Sequence, residues 1–357
     1  MRHALRRPPL PSLAPSTNVI DPNAQNLSFR EAISVSNNGM NHLPLKFAVK
    51  CLVTGVLLWL AFRKVDLGSV SAVLEGLNPL WAAAALLLTT LIIVADAKLL
   101  SLVLRIFGRG VPFATALLYS LVGWFFSNLA PSTVGGDIFR GVQLSRVGVP
   151  AGTAARLIVS IRFLSFATLV AVMFAGLPIA LGLLHHRGDL LLLIAILATA
   201  SGALAAVLLI AHFPRSAWLE RWPLMRKAYT LSDDFRRLLV PGRSTSVAWL
   251  SALVQHLLRV CILASLARGL GLGIPLATLF ALTPAALLIA MVPISIAGFG
   301  ARELTFVYFL GIAGISAEAA LSLSIAFGLL RVFVGAIGGV TWSLMSDRHY
   351  RVDAPSA

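Results

Sequence analysis

Long apolar runs separated by short polar stretches occupy most of this chain. A helix needs about 20 residues to cross the hydrocarbon core of a membrane. Six of the runs are long enough to do so, which predicts an all-α polytopic membrane protein. The eight apolar segments are 46–62, 79–104, 112–129, 151–184, 190–213, 244–270, 276–292 and 317–345.

Two of the runs, 112–129 and 276–292, end in breaks rich in proline and small residues. The pieces that follow these breaks are too short to span a bilayer. We therefore predict two re-entrant helical hairpins, 112–147 and 276–312. Non-helical backbone at that depth is tolerated only where protein or a wet cavity covers it.

The two breaks resemble each other. In each, an arginine follows a proline by nine positions, from Pro131 to Arg140 and from Pro293 to Arg302. Three full crossings lie between the hairpins, so an odd number of crossings predicts inverted-topology repeats, which in transporters place the substrate site at mid-membrane. The alternative is chance similarity, because apolar helices use small residues freely.

The ends of the chain differ from its centre. Residues 1–45 are rich in Pro, Ser and Asn and lack periodicity, which predicts a disordered N-terminal tail. Residues 46–345 form the predicted membrane domain, and 346–357 form a cytoplasmic tail. Met1 and Met40 both remain as candidate start sites.

Composition supports lipid as the solvent. Only 12% of residues are charged and 58% are hydrophobic, whereas a soluble domain has about 25% charged residues. The net charge of +15 is spread over loops and termini rather than gathered in a basic strip, so nucleic acid is not a predicted partner.

Lysine and arginine also predict orientation. With both termini in the cytoplasm, the inside segments carry 17 of them and the outside loops carry 4, which agrees with the positive-inside rule. We therefore predict a multi-pass protein of the inner (plasma) membrane. Segment 214–243 is either an interfacial helix on the inner leaflet or an ordinary solvated loop. The inside segments are 1–46, 98–110, 214–243 and 346–357, and the outside residues are Arg63, Lys64, Arg187 and Arg268.

Among the ionisable residues of the predicted membrane segments, hairpins included, we count six arginines and three carboxylates. A charge at the bilayer centre costs at least about 2.5 kcal/mol, so the surplus arginines need an anionic ligand. The guanidinium fork suits phosphate, although an arginine near a helix start, such as Arg156, fits an interfacial position. The arginines are Arg140, Arg156, Arg162, Arg259, Arg302 and Arg331, and the carboxylates are Asp137, Glu303 and Glu318.

The breaks add further candidate groups. Glycines there expose backbone N–H groups that suit phosphate, while Asp137 and Glu303 either cap the helices they open or bind substrate. Gln255, His256 and Arg259 share one helix face and either line the same cavity or bond neighbouring helices. No metal, cofactor or enzyme signature is present. The glycines are Gly135, Gly136, Gly298 and Gly300.

The segments from Asn128 to Arg140 and from Pro293 to Glu303 resemble the two signatures of the lysylphosphatidylglycerol synthase transmembrane region, or flippase-like domain, family. Arg331 matches the arginine of that family's last helix. The resemblance covers about residues 46 to 345 and implies movement of polar or phosphate-bearing lipids between leaflets. The soluble aminoacyl-transferase domain of the full synthase is absent from this sequence, so lipid synthesis is not implied.

The predicted function is that of a lipid flippase or translocator rather than an enzyme. Its predicted partners are lipids with anionic or phosphate-bearing head groups, with envelope-lipid biosynthesis enzymes as further partners. Two alternatives stay open. The first is a membrane enzyme that modifies a lipid head group through Asp137 or Glu303. The second is a non-transporting partner of an envelope-lipid synthase.

Overall fold

The structure, a computed structural model, describes residues 67–129, 134–184, 186–212, 221–291 and 299–344, together with isolated positions at 52, 55, 56 and 59. These residues belong to one compact unit, Lys50–Ala357. From 67 to 344, the described residues form eleven α-helices and no β-strand. The helices are α1 (Leu67–Glu75), α2 (Pro79–Ile106), α3 (Phe113–Leu129), α4 (Gly135–Arg146), α5 (Ala151–Leu183), α6 (Arg187–His212), α7 (Pro223–Leu239), α8 (Arg243–Gly269), α9 (Leu276–Met291), α10 (Ala301–Ile312) and α11 (Ala317–Leu344).

Five of these helices, α2, α5, α6, α8 and α11, are long and apolar enough to cross a membrane. Helices α3 and α9 are apolar but shorter, and each is followed by a short helix, α4 or α10. The protein is therefore an all-helical multi-pass membrane protein. The sixth predicted span, 46–62, and the predicted tails 1–45 and 346–357 lie outside the continuously described residues, as do the breaks at 130–133 and 292–298.

Four consecutive helices in the first half have counterparts of the same order in the second half. Helices α2 to α5 correspond to α8 to α11, and each pair begins 163 to 166 residues apart. Helices α6 and α7 lie between the two series. The paired first residues are Pro79 and Arg243, Phe113 and Leu276, Gly135 and Ala301, and Ala151 and Ala317.

The turns after α4 and α10 also match. Gly148 and Gly314 both adopt left-handed backbone, with φ of 85° and 78°, a conformation that glycine adopts without steric cost. In each turn the next residue returns a hydrogen bond to the preceding helix, Val149 to the carbonyl of Leu144 at 3.0 Å and Ile315 to that of Leu310 at 3.1 Å. Both short helices thus end in the same C-capping turn.

Helices α2 and α8 pack antiparallel along their length. At one end, the Ser265 hydroxyl donates to the Trp81 carbonyl at 2.9 Å, and the Asn78 N–H donates to the Gly269 carbonyl at 2.9 Å. At the other end, Leu104 of α2 belongs to the same buried cluster as Ala248 of α8. The first helices of the two series, α2 and α8, therefore run in opposite directions.

Two clusters of buried apolar side chains hold the bundle. One joins the first half of α2 and the second half of α8 to α5, α6, α9, α10 and α11. The other joins the second half of α2 and the first half of α8 to α3, α4, α5 and α7. Because lipid tails are as apolar as leucine, close packing rather than removal from water stabilises these contacts.

Candidate functional site

A cavity of about 210 Å³ lies within the bundle. It receives side chains from all eight helices of the two series, α2–α5 and α8–α11, and from none of the other described helices. Its walls carry both charged and apolar groups. Five arginines line it, namely Arg140, Arg162, Arg259, Arg302 and Arg331.

Three of the five arginines form ion pairs with carboxylates. Arg140, which is 8% exposed, pairs with Asp96 of α2. Arg162 of α5 donates from Nε and Nη2 to one oxygen of Asp137, at 2.6 Å each. The second oxygen of Asp137 lies 3.8 Å from Nη1 of Arg140. The carboxylates of α2 and α4 therefore join the first short helix to two neighbouring helices.

Arg302 is held by a separate set of contacts. It pairs with Glu303, donates from Nε to the Ser324 hydroxyl at 3.2 Å, and lies over the rings of Phe299 and Phe327 at 5.3 and 5.9 Å from their centroids. The side chain is 4% exposed. An arginine with this many contacts is fixed in position, with one side open to the cavity.

The two residues predicted as helix caps make different contacts. The N–H of Gly300, which has φ of 81°, donates to Glu303 Oε2 at 2.7 Å, so Glu303 caps α10. Asp137 lies in the first turn of α4, and its carboxylate binds Arg162 in a charge-assisted contact.

Arg259 and Arg331 differ from the other three arginines. Among the described residues, no carboxylate lies within 4.0 Å of either guanidinium. Arg259 and Arg302 also lie within electrostatic range of Arg331. The five arginines of the cavity are therefore matched by three carboxylates, which leaves a surplus of two positive charges.

His256 orients one of these two arginines. Its Nε2 lies 2.8 Å from the carbonyl oxygen of Ser165, and its Nδ1 lies 3.1 Å from Nη1 of Arg259. A carbonyl only accepts and a guanidinium only donates, so the ring is the neutral tautomer with its proton on Nε2. His256 thus links the α5 backbone to Arg259 without adding charge.

Gln255 supplies a further polar group on the same helix. It is 5% exposed and lines the cavity. Its buried Nε2 has no hydrogen-bond partner among the described residues. A buried amide donor without a partner costs about 1–3 kcal/mol, so this group is available to a ligand or a water.

The structure brings most of the predicted site residues together. Asp137 and the five predicted arginines line the cavity, and Glu303 stands directly behind Arg302. Gly135 and Gly136 begin α4, where Gly136 packs against the carbonyl of Gly123. Gly298 lies outside the described residues. Arg156 is not part of the cavity lining and pairs with Asp234 of α7 at 3.1 Å.

Sequence reasoning missed Asp96. It lies inside the apolar segment 79–104, two residues before Lys98, but was not counted with Asp137, Glu303 and Glu318. The available signal was an acidic residue inside an apolar run, which is rare unless the residue is paired.

No metal site is evident in the described part of the chain, where no three His, Cys, Asp or Glu side chains are grouped to hold an ion. A comparison with curated proteins finds no match. The family described as "Lysylphosphatidylglycerol synthase TM region" matches residues 47–339. Because this match covers most of the chain, the protein belongs to the lysylphosphatidylglycerol synthase transmembrane region family.

Proposed function

We propose that the protein moves a phosphate-bearing or other polar lipid between the leaflets of the inner membrane, with the head group held in the arginine cavity. The observation that carries this proposal is the surplus of charge. Arg259 and Arg331 face the cavity without a carboxylate partner among the described residues. An unpaired buried cation is costly, and an anionic head group offsets that cost.

The contacts suggest a division of roles within the site. Arg259, Arg331 and the amide of Gln255 supply free donors on α8 and α11 for phosphate oxygens. Arg140, Arg162 and Arg302 keep ion pairs with Asp96, Asp137 and Glu303, so they shape the cavity and add longer-range attraction. Backbone N–H groups near Gly135, Gly136 and Gly298 are further candidate contacts to the head group, whereas the N–H of Gly300 is already bound to Glu303.

The two helix series support an alternating-access mechanism. Their members recur at a near-constant spacing, and the corresponding helices α2 and α8 run antiparallel. Both features favour inverted-topology repeats, with six spans and re-entrant hairpins at α3–α4 and α9–α10. In such folds each half exchanges its conformation with the other, so a central site opens to one leaflet and then to the opposite one.

Glu303 is poorly placed for head-group chemistry. One oxygen of Glu303 accepts the Gly300 N–H and the other binds Arg302. A general base needs an oxygen free to receive a proton from the substrate, and Glu303 offers none in this arrangement. Asp137 binds Arg162 through one oxygen, and its other oxygen lies 3.8 Å from Nη1 of Arg140, so Asp137 is the carboxylate through which the enzyme alternative would act.

Reconstituted protein tests the function. Proteoliposomes containing a phospholipid with a fluorescent head group are treated with an impermeant reductant, which quenches only the outer leaflet. We expect the full chain to expose inner-leaflet lipid to quenching faster than protein-free vesicles do. Replacing Arg259 or Arg331 with lysine keeps the charge and loses the bidentate fork, so we expect exchange to slow about tenfold.

Replacing exposed Arg105 with lysine at the end of α2 is the matched control and should leave the rate unchanged. Equal rates for all variants would contradict the arginine site. A chemically altered lipid in the same vesicles would instead support the enzyme, and intact lipid without exchange would support a non-transporting partner.

A further inference from the structure

A second concavity, a groove of about 480 Å³, lies between α2 and α8 and reaches the start of α3. Its side chains come from the faces of α2 and α8 that do not line the arginine cavity, so the same two helices separate the groove from the cavity. The groove residues are Leu91, Val94, Ala95, Lys98, Phe113, Leu250, Ser251, Val254 and Leu258.

The groove opens onto the exterior of the bundle. Leu91 and Val94 of α2 are 44% and 39% exposed, and Leu250 of α8 is 56% exposed. Both helices are long and apolar enough to span the membrane. Apolar side chains exposed on a membrane span face lipid, so acyl chains are the molecules that fill this groove.

The groove is polar at one end only. Because α2 and α8 are antiparallel, Lys98 and Ser251 lie toward the end where α2 finishes and α3 begins. Leu91 and Leu258 lie deeper, with Leu91 about 10 Å below Lys98 along the helix. The Ser251 hydroxyl donates to the carbonyl of Val247. The ammonium group of Lys98 is therefore the charged group of the groove.

Lys98 has no carboxylate within ion-pair distance among the described residues, since its neighbour Asp96 points to the cavity and binds Arg140. An exposed cation about 12 Å from the end of a membrane helix is unfavourable in hydrocarbon. A lysine stem extends toward the interface, where the ammonium meets anionic head groups. The groove thus combines an apolar channel with one cationic end, which matches the polarity of an anionic phospholipid.

We infer that this groove is a binding site for an anionic phospholipid of the leaflet that contains the α2–α3 turn. Its acyl chain lies along Leu91, Val94, Val254 and Leu258, and its phosphate contacts Lys98. The site is distinct from the arginine cavity, and it stands whether or not the protein moves lipids between leaflets.

Native mass spectrometry of the delipidated full chain tests the site by titration with phosphatidylglycerol and, separately, phosphatidylcholine. We expect K98Q to weaken the first phosphatidylglycerol binding event about fivefold, the effect of one lysine near an anionic lipid surface. Phosphatidylcholine binding should change little, and K98R should restore the preference for phosphatidylglycerol.

Three further variants separate a built groove from diffuse attraction. R105Q removes another exposed cation of the same helix and should leave the preference unchanged. V254W fills the groove and should reduce binding of both lipids, whereas V332W, on exposed apolar surface of α11, should not. Normal phosphatidylglycerol binding by K98Q, an equal loss in R105Q, or normal binding by V254W would each overturn the proposal.

Discussion

At the scale of single residues, two cavity arginines lie against glycines. Arg140 packs over Gly123 of α3, with Nε 2.9 Å from the position a Cβ would occupy. Arg302 packs over Gly328 of α11, where an added Cβ would overlap its guanidinium. A glycine in each neighbouring helix leaves the space that the planar group needs. The arginine positions therefore depend on residues that carry no chemistry themselves.

Replacing Gly328 with alanine tests this dependence. Arg302 is fixed by Glu303 and by the rings of Phe299 and Phe327, so it has no space to withdraw. We expect G328A to destabilise the protein by about 1–3 kcal/mol through overpacking. We expect the apparent Tm, measured in one detergent, to fall. We also expect lipid exchange in proteoliposomes to slow.

The matched control is Gly311 of α10, where an added Cβ would meet no atom within 4 Å. Alanine has the higher helix propensity, by about 1 kcal/mol, so G311A should raise the Tm or leave it unchanged. If G328A were as stable as the wild type, the close packing of Arg302 against α11 would be wrong.

Sequence patterns were informative about residue types at the site but not about their partners. The arginines were conspicuous because charge is rare in apolar runs. Asp96 was missed, and the pairing of Arg156 with Asp234 was not predicted. Pairing depends on which faces of distant helices meet, and periodicity within one helix carries no information about that contact.

At the scale of elements, α7 is a helix whose buried face packs on the spans. Phe235 stacks on Phe163 of α5 at 4.4 Å between ring centroids, and the Trp249 indole donates to the Leu238 carbonyl at 2.9 Å. From the sequence alone, segment 214–243 was either an interfacial helix or a solvated loop. Its one-sided apolar pattern indicates the helix, but only the packed structure identifies the neighbours of that face.

Asp234 of α7 gives this contact a pH dependence. The residue is 2% exposed, and burial raises its pKa above 3.8, although Arg156 opposes the rise. A carboxyl whose pKa is raised in the folded state favours folding while protonated. That stabilisation is lost as pH rises from about 4 through the folded-state pKa. Ionised Asp234 therefore depends on Arg156.

We expect R156Q to be destabilising at pH 7, by about 3 kcal/mol, because it leaves a buried carboxylate unpaired. The loss should shrink as the pH falls and protonation removes the charge of Asp234. The double variant R156Q/D234N removes both charges and should recover most of the Tm. Thermal unfolding at several pH values measures the loss of stability. A loss that does not depend on pH and that D234N does not rescue would show that the Arg156–Asp234 ion pair does not hold α7 on α5.

At the scale of the whole molecule, the near-constant spacing of the two helix series links fold to site. Each series contributes one short helix with a cavity arginine, and α6 and α7 connect the series. Hydropathy identified the apolar segments because span length is set by bilayer thickness. It did not predict that α2 and α8 would pack together, because antiparallel neighbours carry no mark in the sequence.

The inverted arrangement requires that α6 cross the membrane, because it needs α5, α6 and α8 as three crossings between the proposed hairpins. Cysteine labelling checks this in a background without Cys51 and Cys261. Gly188, at the start of α6, and Lys227 of α7 are exposed positions on either side of that span. We expect an impermeant maleimide to label G188C in intact cells and K227C only after permeabilisation, because basic residues concentrate inside. The opposite pattern would reverse the orientation and keep the repeat. Labelling of both positions from the same side would remove the third crossing, and the two hairpins would then enter the membrane from one face.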